Sequence, residues 1–97
     1  MTRYLTLMKF TDQGIRTIKE APKVIEQAIK ALEAIGGKVL GTYMLMGEYD
    51  MAVISEAPSD EIGLGFLLSV GARGNVRTKA LKAFTLEEFA QIVKKMP

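Results

Sequence analysis

Any chemistry in this chain has to be done by carboxylates, lysines, arginines, tyrosines and hydroxyls, because it contains no His, no Cys and no Trp. The most compact grouping of such residues is Gly47-Glu48-Tyr49-Asp50. Read as a site, Tyr49 is a hydrogen-bond donor and Asp50 a base or ligand anchor at a pocket mouth. Read as a turn, Gly47 supplies a positive φ, Asp50 holds nearby backbone amides and Tyr49 packs across a hairpin. The densest basic stretch is Arg73, Arg77, Lys79 and Lys82. Arg77 and Lys79 are two residues apart, so on a strand they share a face and suit a carboxylate or phosphate. The same charges also guard an edge strand against pairing with another sheet. Asp12, Gln13 and Arg16 follow the first strand, where a loop places Arg16 either on a ligand or in water. Asp60-Glu61 and Glu87-Glu88 sit at helix starts, where the helix dipole favours carboxylates, and are read as structural.

The missing residue types exclude more than the present ones establish. Without Cys or His there are no disulfides, thiolate nucleophiles, nitrogen–sulfur zinc sites or histidine triads, and no metal or cofactor is expected. The thirteen basic and eleven acidic side chains leave a net charge of +2 with the signs interleaved. Nucleic acid is therefore not an expected partner, since phosphate binding needs a concentrated basic face. The stretch from Asn75 to Leu81 also lacks the aromatics of an RNA-binding strand. Gly63, Gly65, Gly71 and Gly74 superficially suggest phosphate loops. However, Leu68 stands where a dinucleotide motif needs glycine, and no Gly-Lys-Ser/Thr follows. Arg3 and Lys9 interrupt the N-terminal apolar run and no membrane-length segment is present, so a cytoplasmic protein is expected.

These residues must be positioned by one domain over residues 1–97, with room for a single core. Arg3 to Phe10 reads as a strand ending at the turn signal Thr11-Asp12-Gln13-Gly14, followed by a looser stretch to Glu20. A helix starts near Pro22, carries Ile25, Ala28, Ile29, Leu32 and Ile35 at helical spacing, and stops at Gly36-Gly37. Lys38 to Met46 and Met51 to Glu56 read as a hairpin. A second helix runs from Pro58-Ser59-Asp60-Glu61 to about Val70, and its Gly63 and Gly65 suggest a close approach by another backbone. Asn75 to Phe84 is a fourth strand, and Thr85-Leu86-Glu87-Glu88 is a capping box that opens a last amphipathic helix. The order β-α-β-β-α-β plus a helix is that of the ferredoxin-like split βαβ motif, with the second and fourth strands at the sheet edges.

The strands carry apolar residues on both faces. In the first, Leu5 and Leu7 oppose Tyr4, Met8 and Phe10; in the second, Val39, Tyr43 and Leu45 oppose Leu40, Met44 and Met46. Two crossover helices cover only one face. The other is expected to meet the last helix, a second subunit or an apolar ligand.

The run Tyr43 to Pro58, with Gly47, Glu48, Tyr49 and Asp50 at its centre, resembles the GYD-domain family. Gln13 to Lys19, Gly36-Gly37-Lys38, Gly74 to Thr78 and Ala83-Phe84-Thr85 fit the same family in the same order. Ala21 stands where the family pattern often has Ser, which weakens a helix cap. The resemblance implies a ferredoxin-like protomer of a dimeric α+β barrel and implies no reaction. The expectation is a homo-oligomer that binds a small molecule or another protein without catalysis, with Tyr49, Asp50, Arg16, Arg77 and Lys79 as candidate ligand contacts. The alternative is a cofactor-free enzyme, of monooxygenase or isomerase type, using a pocket between sheet and helices.

Overall fold

The strands that serve two neighbours sit in the middle of the sheet, and they are the first and the third. A computed structural model describes residues 1–97, in the order β1 (Thr2–Phe10), α1 (Asp12–Arg16), a three-residue 3-10 turn (Ile18–Glu20), α2 (Ala21–Ala34), β2 (Lys38–Met44), β3 (Met51–Ala57), α3 (Asp60–Ala72), β4 (Val76–Ala83) and α4 (Leu86–Lys94). The sheet order is β2-β3-β1-β4 with every pair antiparallel, so β2 and β4 form the edges. This is the ferredoxin-like α+β arrangement that the element order implies.

Register assigns the two faces. Met8, Met51 and Val76 form the small buried cluster beneath the helices, joined by Phe10, Ile25, Val53 and Val70. On the opposite, helix-free face, β1 contributes Leu5 and Leu7, opposed by Ile54 and Ala52 of β3 and by Leu81 and Lys79 of β4. The alternation expected in β2 does not hold along its length. A bulge between Val39 and Gly41 inserts Leu40, so Val39 pairs with Ser55 and Tyr43 with Ala52, on opposite faces of the sheet. One extra residue in a strand reverses every side chain beyond it.

The stretch after β1 is more ordered than a loop. Thr11 caps α1 by accepting the Gly14 N–H at 3.1 Å, and Asp12 sits in the first turn, so Asp12, Gln13 and Arg16 lie on a short helix. The glycine stops fall where the backbone needs them: Gly36 takes φ +89° after α2, and Gly74 takes φ +83° after α3. α3 continues through Gly71 to Ala72, slightly beyond the expected end. Its Gly63 does admit a close neighbour, but that neighbour is the Tyr4 ring and not backbone; a Cβ at Gly65 would meet open space.

α4 has the expected capping box, with Glu88 N–H donating to Thr85 Oγ1 at 3.0 Å and Thr85 N–H to Glu88 Oε1 at 2.7 Å. Every residue of α4 is exposed, and so are Phe84 and Phe89, so their apolar stripe faces away from the rest of the chain. The accessible surface is 6909 Å², against about 5,500 Å² for an average monomer of this mass. Tyr43, Leu81, Phe84 and Phe89 are among the large apolar residues left exposed.

Candidate functional site

The main concavity lies where α2 and α3 stand over the sheet. It is a cavity of about 700 Å³, floored by Tyr4, Thr6, Met8, Val53 and Ser55 and walled by α2 residues such as Ala28 and by Phe66 and Val70 of α3. That size suits a small organic ligand. Its walls are mostly apolar, and Arg73 is the one charged side chain among them.

One end of this floor holds a polar network that the separate sequence motifs do not suggest. The Tyr4 hydroxyl donates to Asp60 Oδ1, and Lys82 Nζ donates to Asp60 Oδ2 at 2.8 Å. The Thr2 hydroxyl lies 2.6 Å from the Tyr4 hydroxyl; with the Tyr4 proton on Asp60, Thr2 is the donor in that pair. The ammonium of Lys82, and then the Tyr4 hydroxyl, hold the Asp60 carboxyl below its ordinary range. Asp60 in turn raises the Lys82 ammonium. Partial burial, reinforced by Asp60, raises Tyr4. The arrangement depends on Gly63, because a Cβ there would lie 2.9–3.0 Å from the Tyr4 hydroxyl and ring. Asp60 therefore pairs across the fold as well as opening α3. Its partners are 56 and 22 residues away, and sheet register is the signal that brings them together.

Linkage gives this network a pH signature. A carboxyl whose pKa is lowered on folding adds stability above its unfolded pKa and loses it as pH falls through the folded one. This applies to Asp60, and to Glu88, which the Thr85 backbone N–H and side chain hold down. Groups raised on folding, Tyr4 and Lys82, add stability below their unfolded values and lose it as pH rises through the folded ones. Asp60→Asn should therefore melt below wild type at neutral pH, and the gap should close below about pH 4, the ordinary carboxylate range. Thermal melts from neutral to acid pH check this; a gap of constant size throughout contradicts it.

The residues singled out by sequence lie outside this cavity, on the β2–β3 connection, α1 and β4. Asp50 sits in the β2–β3 connection at the Phe10 end of β1. Its Oδ2 accepts the Phe10 N–H at 2.8 Å, its own N–H donates to Met8 O at 2.9 Å, and its carbonyl accepts the Leu45 N–H at 2.8 Å. Gly47 takes φ +139° and the exposed Glu48 follows it. Tyr49 lies under Lys9, whose Nζ is 5.2 Å from the ring centroid, a cation–π contact. Arg77 pairs with Lys9 and Lys79 with Leu7 across β1 and β4, which puts both charges on the helix-free face, along the edge strand. Arg16 is exposed at the end of α1. None of Tyr49, Asp50, Arg16, Arg77 or Lys79 lines the cavity. No cluster of three or more acidic side chains is placed to hold a metal ion, and no helix is long and apolar enough to cross a membrane.

An antiparallel sheet in this order, with two crossover helices enclosing an apolar cleft on one face, defines a ferredoxin-like α+β protein. Its solved neighbours include FFRP-DM1, with a TM-score of 0.55 and 22% identity over 87% of this chain and 100% of that one, a likeness of fold. The chain belongs to the GYD-domain family, whose model matches residues 4–93. Among curated proteins it is similar to the glutamine synthetase and cystathionine beta-lyase binding protein of Thermus thermophilus, 28% identical over 89 residues that cover 91% of this chain and 94% of the relative.

Proposed function

We propose that this protein is a non-catalytic binding protein that acts as a homo-oligomer, joined through the helix-free face of its sheet. The observation that carries the reading is the apolar centre of that face, where Leu5, Leu7, Ala52, Ile54 and Leu81 meet across three strands with no helix over them. The surface surplus of about 1,400 Å² over an average monomer exceeds the roughly 800 Å² that each partner of a standard interface contributes. A dimer of this kind has two sheets packed face to face, which is the barrel arrangement the family resemblance implies. The relative from Thermus thermophilus is named for binding two enzymes, and a similar role in holding other proteins fits a chain with this much uncovered apolar surface.

A cofactor-free enzyme is less well supported. The cavity wall carries no carboxylate and no amine, and the one tyrosine on it, Tyr4, has its proton engaged by Asp60 and its pKa raised. A general base needs the opposite poise.

Light scattering at micromolar concentration should give at least twice the monomer mass for wild type. Leu7→Lys puts a charge at the centre of the face, opposite Lys79, and should yield a folded monomer by circular dichroism. A monomeric wild type, or an unchanged mass for Leu7→Lys, overturns the interface. Surface plasmon resonance against purified glutamine synthetase and cystathionine beta-lyase tests the partner class, and no response to either refutes that part.

A further inference from the structure

We propose that the cavity beneath α2 and α3 binds an apolar monocarboxylate with a hydrogen-bonding atom partway along its body. Three observations define that chemistry. The first is shape: the cavity follows β1 from Phe10 to Tyr4, six residues or roughly 20 Å at strand rise, and it is mostly apolar along that length. A long hydrocarbon body suits it better than a compact polar metabolite.

The second is charge. Arg73 is the one charged residue on the wall, beside Asn75 at the Phe10 end, and it takes part in none of the chain's three ion pairs. Gln13 Nε2 donates to the Arg73 carbonyl at 2.9 Å and to Asn75 Oδ1 at 2.9 Å, which fixes the backbone beneath the guanidinium and leaves the guanidinium itself uncommitted. A guanidinium at the rim of an apolar cavity matches a carboxylate head, which it holds with two parallel hydrogen bonds. At the far end, Lys82 and Asp60 neutralise one another, so the cavity offers a single anion-binding end.

The third is a polar group set within the apolar floor. Thr6 is only 3% exposed as a residue and lines the floor between the two ends; its hydroxyl is not among the sealed polar atoms that lack a partner, so it is reached from the cavity. A hydroxyl reached from the cavity is open to water, and a hydroxyl or carbonyl on the ligand would take the place of that water. Thr6 is four residues from Phe10, which sets that atom on the order of 13 Å from the carboxylate end.

The inference is independent of the oligomer, and so is its readout. Displacement of an apolar fluorescent probe from the full-length protein should occur with palmitate and with mid-chain hydroxypalmitate, the latter at about tenfold lower concentration. Hexadecylamine should displace poorly. Arg73→Gln should weaken both acids about tenfold while leaving probe binding unchanged. Thr6→Val keeps the shape and removes the hydroxyl; it should abolish the preference for hydroxypalmitate without lowering the melting temperature. Ala28→Phe should fill the cavity and stop probe binding. Equal displacement by palmitate and hexadecylamine, or an Arg73→Gln protein that binds the acids as wild type does, overturns the anion assignment. Equal affinity for palmitate and hydroxypalmitate overturns the role of Thr6. Absence of any probe or acid binding to wild type overturns the site.

Discussion

Gly14→Val is expected to destabilise the protein more than any other single replacement of a glycine, and Gly14→Ala nearly as much. A Cβ built at Gly14 lies 2.1 Å from the carbonyl oxygen of Asn75 and 3.0 Å from its carbonyl carbon. That carbonyl has little freedom to retreat, because it accepts the Thr11 N–H at 3.0 Å. Three more bonds tie the same pair of segments, from Thr11 Oγ1 to Gly74 O and from Gln13 Nε2 to Arg73 O and to Asn75 Oδ1. Separating α1 from the α3–β4 turn would give up this set of contacts. The cost is therefore at or above the usual overpacking range of about 1–3 kcal/mol. For a domain of this size each kcal/mol lowers the melting temperature by roughly 4–8 °C. Gly65→Ala is the internal control: its Cβ meets nothing within 4 Å, and alanine in a helix gains about 1 kcal/mol over glycine. Thermal melts of the three variants should place Gly65→Ala at or above wild type and both Gly14 variants well below it. A Gly14→Ala protein that melts with wild type refutes the contact.

That contact also marks where the sequence could and could not be read. Element order, edge strands and the α4 capping box follow from local signals: hydrophobic period, Gly36 after α2, and Thr85 three residues before Glu88. α1 was hidden because Thr11-Asp12-Gln13-Gly14 carries turn chemistry and cap chemistry at once. Only the tertiary contact of Gly14 with Asn75 explains why a glycine sits inside so short a helix. The bulge at Leu40 left no mark, since Val39, Leu40 and Tyr43 satisfy either alternation. The Tyr4–Asp60–Lys82 network joins three elements, and its members carry no shared motif. The alternation of β1 does put Tyr4, Thr6, Met8 and Phe10 on one face, and that much of the cavity floor is readable once helices are assigned to that side. The cavity itself depends on how far α2 and α3 stand apart, which no local pattern specifies.

The second large effect is expected at Asp50, and it separates the two readings of the Gly47–Asp50 segment. Asp50 fixes the β2–β3 connection to the end of β1 through three bonds: Phe10 N–H to its carboxylate, its N–H to Met8, and Leu45 N–H to its carbonyl. The last two are backbone bonds and survive any substitution. The first is a charge-assisted bond to a half-buried carboxylate, and Asp50→Ala leaves the Phe10 N–H without its partner, a loss of about 1.5–3 kcal/mol. Asp50→Asn keeps an oxygen in place to accept the same N–H, so it should fall between wild type and alanine. Tyr49→Phe keeps the ring under Lys9 and should cost little, because the cation–π contact uses the face of the ring and not the hydroxyl. If the segment instead holds a ligand, the order changes: Tyr49→Phe and Asp50→Asn would melt as wild type does and lose that ligand. Melting curves for the three variants, read together with native mass spectra for any retained small molecule, decide between the two. The bond network around Phe10 argues for the structural outcome, since Asp50 Oδ2 accepts a backbone proton at 2.8 Å while its own N–H and carbonyl are bonded to Met8 and Leu45.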